Sequence, residues 1–145
     1  MSLINITAAG ASLQKTGGCN GCPDASAVSE GQISGNGSLA FVVADSGPLR
    51  FVGLGSGGIG TGAADINFAI RLQSGVAEVR ESGAYKTETA FVAGDRFDVA
   101  VVGGVVGYSK NGTVFYTSAI HAGFALRAHA VLFDTDASLD NVAMR

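Results

Sequence analysis

Apolar and polar positions alternate with a period of two through most of the chain, the pattern of strands buried on one face. It is cleanest from Asp65 to Leu72. Ile66, Phe68, Ile70 and Leu72 fall on one side, and Asp65, Asn67, Ala69 and Arg71 on the other. Past a turn at Gln73-Ser74-Gly75, Ala77 and Val79 face inward while Glu78 and Arg80 face outward. Phe97, Val99 and Val101 alternate with Asp98 and Ala100. Leu126, Ala128, Ala130 and Leu132 alternate with Arg127, His129, Val131 and Phe133. Gly103-Gly104 and Asn111-Gly112 are two-residue turn signals, and the second is the strongest hairpin signal in the chain. Segments 38–44 and 49–54 read as strands joined by Asp45-Ser46-Gly47-Pro48. The stretch 53–62 holds six glycines (53, 55, 57, 58, 60 and 62) and reads as a flexible loop. Helical signal is confined to weak stretches around 84–92 and 118–124. Many short strands, glycine turns and no capped helix predict an antiparallel two-sheet β-sandwich of about ten to twelve strands.

Composition agrees. A chain of 145 residues suits a single domain over 1–145. Hydrophobic residues make up 47% and charged residues 14%, which excludes a disordered tail. Glycine is abundant, 22 residues, but proline is only 2, and no Gly-X-Y period appears, so collagen is excluded. Net charge is -3 and the basic residues are scattered, which argues against a nucleic-acid partner. The longest apolar stretches, such as 97–106, are interrupted by Asp98, Gly103 and Gly104 and fall short of the ~20 residues of a spanning helix, so no membrane insertion is expected. The opening residues lack a basic region followed by a long apolar run, and no signal peptide is expected there.

Cys19 and Cys22 form a C-x-x-C pair between Gly17-Gly18 and Pro23-Asp24. A local disulfide, two free thiols, half of a metal site and a redox pair all share this spacing. The flanking glycines and proline disfavour the helix that a thioredoxin-like centre needs. A structural zinc would need further ligands, and His121 and His129 lie about a hundred residues away.

One stretch, Ala93-Gly-Asp-Arg-Phe-Asp-Val-Ala-Val-Val-Gly-Gly-Val-Val-Gly-Tyr-Ser-Lys-Asn-Gly-Thr-Val-Phe-Tyr-Thr-Ser118, resembles a pattern of bacterial concanavalin A-like modules, the lectin/glucanase and SPRY-like jelly rolls. Phe51-Val-Gly-Leu-Gly-Ser56, Asp65-Ile-Asn-Phe-Ala-Ile70 and Val79-Arg-Glu-Ser-Gly83 resemble upstream pieces of it, so the likeness covers about residues 37–118. It implies a concanavalin A-like jelly roll, and an extracellular or cell-surface module that binds a ligand, adheres or accompanies an enzyme. Gly107 and Ser109 depart from the pattern, since the family often carries aromatics there.

The outward positions Asn67, Arg71, Glu78, Arg80, Asp98, Arg127 and His129 are the candidate ligand-binding residues. Neighbouring strands would bring them into one polar groove suited to glycan hydroxyls or carboxylates. The absence of tryptophan counts against a stacking platform, leaving Tyr85, Tyr108 and Tyr116. Asp134 and Asp136, with Asp140 and Asn141 nearby, offer oxygens that suit calcium or a turn. Catalysis is not expected. Glu78 and Glu81 fall on opposite faces of one strand, Glu30 and Glu88 stand isolated, and Gly55-Ser56-Gly57 lacks the strand-to-helix context of a nucleophile elbow. Three functions stay open. The first is a non-catalytic, secreted or cell-surface binding module whose partner is a glycan or a cell-surface protein. The second is a self-associating interaction module, a homo-oligomer using apolar positions such as Val42, Val52 or Val102. The third is a hydrolase, or an appendage of one, without a recognisable motif.

Overall fold

The computed structural model describes residues 1–59, 62–123 and 125–145. Among them fourteen strands follow in chain order: β1 (Ser2–Ile4), β2 (Ile6–Ala9), β3 (Ser12–Lys15), β4 (Ala25–Val28), β5 (Gly37–Val42), β6 (Arg50–Gly55), β7 (Phe68–Gln73), β8 (Val76–Glu81), β9 (Ala84–Ala90), β10 (Arg96–Val102), β11 (Val105–Lys110), β12 (Thr113–His121), β13 (Arg127–Leu132) and β14 (Ser138–Met144). They build two antiparallel seven-stranded sheets. The front sheet runs β1-β4-β13-β6-β7-β8-β9 and the back sheet β12-β11-β10-β5-β14-β3-β2. The expected two-sheet sandwich is the architecture observed.

The local hairpins follow from the turn residues. Ser74-Gly75, Ser82-Gly83, Gly103-Gly104 and Asn111-Gly112 each place two consecutive residues at positive φ. That is the type I′ geometry, whose twist matches that of the strands it joins. The inward side chains of both sheets then meet in one core. Phe41, Phe97, Phe68, Ile70, Leu72, Leu54 and Leu132 are all buried in it. Phe97 stacks on Phe41 at 5.7 Å between ring centroids and meets Phe91 and Phe115 edge-on. Each such side chain contributes about 1.5–3 kcal/mol by leaving water.

Five details differ from the sequence expectation. The described residues form fourteen strands, above the ten to twelve expected. The stretch 84–92 contains β9, not a helix, and 118–121 completes β12; residue 124 lies outside the described residues. Ile66 does not continue the inward row of β7. It follows a 3-10 turn at Ala63–Asp65 and packs with Ala69 and Val131 on the outer side of the front sheet. Gly53 and Gly55 belong to β6 and not to the loop, whereas Gly60 lies outside the described residues. Val52 is a core residue, 1% exposed, so it offers nothing to a partner.

Candidate functional site

Register fixes what the front sheet shows to solvent. One row crosses five strands as Val131, Phe51, Arg71, Glu78 and Glu88. The next row is His129, Gly53, Ala69, Arg80 and Tyr85. Arg71, Glu78 and Arg80 are therefore brought together as expected, on the outer face of β7 and β8.

Glu78 is the centre of the cluster. Its Oε1 accepts from Arg80 Nε at 2.9 Å and from Arg80 Nη2 at 2.6 Å. Its Oε2 lies 3.8 Å from Arg71 Nη1, beyond hydrogen-bond length. Arg71 Nη2 donates instead to Gln73 Oε1 at 2.7 Å. The three charged side chains retain 17–29% exposure, so each still reaches solvent. Two aromatics flank them. The Arg80 guanidinium sits 5.4 Å from the centroid of the half-exposed Tyr85 ring, and part-buried Phe51 follows Arg71 in the row and packs against Phe133. Tyr85 donates to Glu88 Oε1 at 2.8 Å, and that bond to a carboxylate pushes its phenol pKa up.

The other four candidates take different places. Asp98 lies on β10, on the outer face of the back sheet, where it accepts from Arg96 at 3.2 Å. Alternation sets the face of a strand but not its sheet, so Asp98 cannot join the cluster. Asn67 fastens a loop, accepting from Ser56 N at 2.9 Å. Arg127 is turned to the chain after β4, donating to the carbonyls of Ser29 and Glu30. His129 points outward but is only 3% exposed, covered by chain that follows β6. Burial lowers its pKa; the backbone of Gly57 and Gly55 opposes the fall and the Arg127 charge adds to it.

Asp134 and Asp136 also have structural neighbours. Asp134 Oδ2 accepts from Leu49 N at 2.8 Å. Asp45, Asp136 and Asp134 all act on the fully buried Arg50 guanidinium, whose pKa burial lowers and these charges raise. Cys19 and Cys22 are joined by a disulfide. Asp24 lies close beside both sulfurs, but in the disulfide they are not the thiolates that a metal would need. Its carboxylate is already committed to a cation: Lys15 Nζ reaches Asp24 Oδ1 at 2.8 Å and the carbonyls of Cys19, Cys22 and Phe133 at 2.6, 3.0 and 2.7 Å. The Lys15 hydrogen bond holds the Asp24 carboxyl below its ordinary pKa.

Two carboxylates escaped the sequence reading. Glu88 is not isolated. A bulge in the β8–β9 pairing between Val79 and Arg80 shifts the register by one and sets Glu88 opposite Glu78. Glu81 is buried between the sheets, accepting from Tyr108 and Ser118. The Ser82-Gly83 turn hinted at the first; alternation turns the second inward, but nothing local announces its partners. Gly107 and Ser109 lie on the outer face of the back sheet, where they help line a shallow depression of about 270 Å³ beside the exposed Val102 and Val114.

No protein-family model matches the chain, and no curated protein matches it in sequence. Solved structures do match in shape. The SPRY domain of human HERC1 is 10% identical, with a TM-score of 0.71 over 97% of this chain and 93% of that one. The carbohydrate binding module CBM66 from Bacillus subtilis is 7% identical, with a TM-score of 0.63 over 99% and 94%. Alginate lyase AlgAT5 from Polysaccharide Lyase family 7 is 16% identical, with a TM-score of 0.53 over 92% and 68%. At these identities the likeness speaks for the fold alone: the chain is a concanavalin A-like jelly roll.

Proposed function

We propose that the protein is a non-catalytic carbohydrate-binding module whose site is the Arg71–Glu78–Arg80 cluster on the front sheet. The observation that carries this reading is the 3.8 Å gap between Arg71 Nη1 and Glu78 Oε2. A donor and an acceptor face each other there without bonding. A sugar hydroxyl can accept from the one and donate to the other, and charge-assisted bonds of this kind are the strong ones. Phe51 and Tyr85 add apolar surface for ring faces on either side. Glu78 and Glu88 are already hydrogen-bonded to Arg80 and Tyr85, which favours holding a ligand over moving protons. The resemblance in fold to a carbohydrate binding module supports the reading. The Cys19–Cys22 disulfide supports an oxidising, secreted or cell-surface address.

A glycan array tests it, run with and without calcium. Selective binding by the native chain should fall at least tenfold in Arg71→Ala and in Glu78→Gln, and stay within twofold in Asp98→Asn, whose side chain lies on the other sheet. A blank array, or binding indifferent to all three variants, would overturn it.

A second reading is favoured by one feature. Val102, Val105, Val114 and Ile120 are exposed on neighbouring strands β10 to β12 of the back sheet. An apolar corner of this kind suits self-association. Light scattering that shows a dimer, abolished by Val114→Lys, would move the function to that face.

A further inference from the structure

The Cys19–Cys22 bridge takes no part in the front-sheet cluster, and the loop around it is held without it. The Lys15 ammonium donates to the carbonyls of both cysteines. Cys19 N donates to Asp24 Oδ2 at 2.9 Å, Gly21 N to the Phe133 carbonyl at 2.9 Å, and Thr135 N to Asn20 Oδ1 at 3.0 Å. Every residue from Cys19 to Cys22 thus has a tie of its own. A covalent bond that closes so short a loop, over a network already in place, adds little to the fastening. Cys19 is exposed and Cys22 half-buried. Exposed disulfides are the labile ones.

The same residues surround the sulfurs with placed charge. A carboxylate oxygen of Asp24 and the two sulfurs lie within 4.8 Å of one another. Gly18 permits this approach, since a methyl group built on it would strike the Asp24 carboxylate. Lys15 Nζ balances that carboxylate from the buried side, at 2.8 Å. Residues 16–24 hold no helix, so the cation near a departing thiolate is Lys15 and not a helix terminus. A depression of about 170 Å³, lined by Lys15, Thr16, Gly17, Gly18 and Thr135, borders the loop.

We propose that Cys19–Cys22 is a thiol–disulfide exchange site whose substrate class is an accessible dithiol. A thiolate of the partner attacks Cys19 Sγ, the exposed sulfur. A mixed disulfide forms there, and Cys22 leaves as the thiolate. The partner's second thiolate then attacks the partner sulfur of the mixed disulfide, which closes the partner's own disulfide and releases Cys19. Two electrons pass from the partner to this chain, and the two protons that the partner's thiols lose end on Cys19 and Cys22. Lys15 keeps both cysteine carbonyls in place throughout, so the exchange runs in the folded chain. The inference stands apart from glycan binding, and its test uses no glycan.

The test treats the whole native chain with dithiothreitol, a small dithiol, followed by an alkylating quench and mass spectrometry. The bond should open no more slowly than that of oxidised glutathione in the same buffer, while sheet amides such as Ile70 and Phe97 stay unmoved in 15N spectra. Oxidised glutathione should label Cys19 in Cys22→Ser at least tenfold faster than Cys22 in Cys19→Ser. The alkylation profile of Cys19 in Cys22→Ser should move to lower pH when Asp24→Asn is added, because the carboxylate that opposes the thiolate is gone. A bond that opens only in urea that unfolds the sheets, equal labelling of the two cysteines, or a Cys19 profile indifferent to Asp24→Asn would each overturn the proposal.

Discussion

The Tyr108 hydroxyl donates to Glu81 Oε2 at 2.9 Å inside the sandwich, joining β11 of the back sheet to β8 of the front. Ser118 of β12 donates to the other carboxylate oxygen at 3.0 Å. Both oxygens are thus served by neutral hydroxyls across the inter-sheet space. Burial and the neighbouring carboxylate push the Tyr108 phenol far up, so it stays a donor at any ordinary pH. Glu81→Ala should cost about 3 kcal/mol, because it opens a space and strands two buried hydroxyls. Tyr108→Phe should cost less, and in the double variant the losses should fall short of additive. Urea unfolding of the four proteins measures the coupling.

That bridge also marks how far the sequence could be read. Alternation set Glu81 inward of Glu78 correctly, but its partners lie 27 and 37 residues away, beyond any local pattern. The positive-φ pairs at Asn111-Gly112 and Gly103-Gly104 were legible because a two-residue hairpin demands them. The strands β1 to β4 were not, because they are three or four residues long and β1, β3 and β4 pair with distant chain. Within the site, Arg71, Glu78 and Arg80 were readable as neighbours along consecutive hairpins. Asp98 and His129 were misplaced for one reason: a strand's own pattern does not say which sheet it joins or what folds over it.

Lys15 offers a separate handle. Its ammonium is 0% exposed and bonds to three carbonyls and Asp24, tying β3 to the disulfide loop and to the end of β13. Lys15→Met should destabilise by about 3 kcal/mol, as expected when one partner of a buried pair is removed. Reducing the Cys19–Cys22 bond should cost less, about 2 kcal/mol for so short a loop, because Lys15 still holds the carbonyls. The pH profile separates the two. The depressed Asp24 pKa gives stability that is present above the ordinary carboxylate value of about 3.9 and lost as pH falls through the folded value. Melting temperatures in acid should lose that component in Lys15→Met and keep it in the reduced protein.

Gly53 of β6 pairs with Ala69 of β7. A methyl group built on it would strike the Phe68 carbonyl and the Ala69 Cα, both backbone. Backbone atoms cannot rotate away, so Gly53→Ala should cost about 3 kcal/mol, the upper end of ordinary overpacking. Gly107→Ala, with open space around its Cβ position, serves as the control and should stay within about 0.5 kcal/mol. Equal losses in the two would mean that strand glycines matter for flexibility and not for contact.

The acidic residues near the C-terminus yield the last prediction. Arg50 is fully buried; Nη1 donates to the Pro48 carbonyl and Nη2 to the Asp45 carbonyl, each at 2.6 Å, while Nε has no partner. Desolvation works against its charge, and Asp45, Asp136 and Asp134 work for it. The density of oxygens at Asp134 and Asp136 therefore already serves a cation, one supplied by the chain. Asp136→Asn should lower the melting temperature with or without calcium, because the buried guanidinium loses part of its compensation. Arg50→Lys should lower it further, since a shorter side chain ending in one ammonium does not reproduce the planar fork whose two nitrogens span these carbonyls. Calcium added to the native protein should leave the melting temperature unchanged. A rise on adding calcium, absent in Asp136→Asn, would instead show that these carboxylates reach a second cation beyond Arg50.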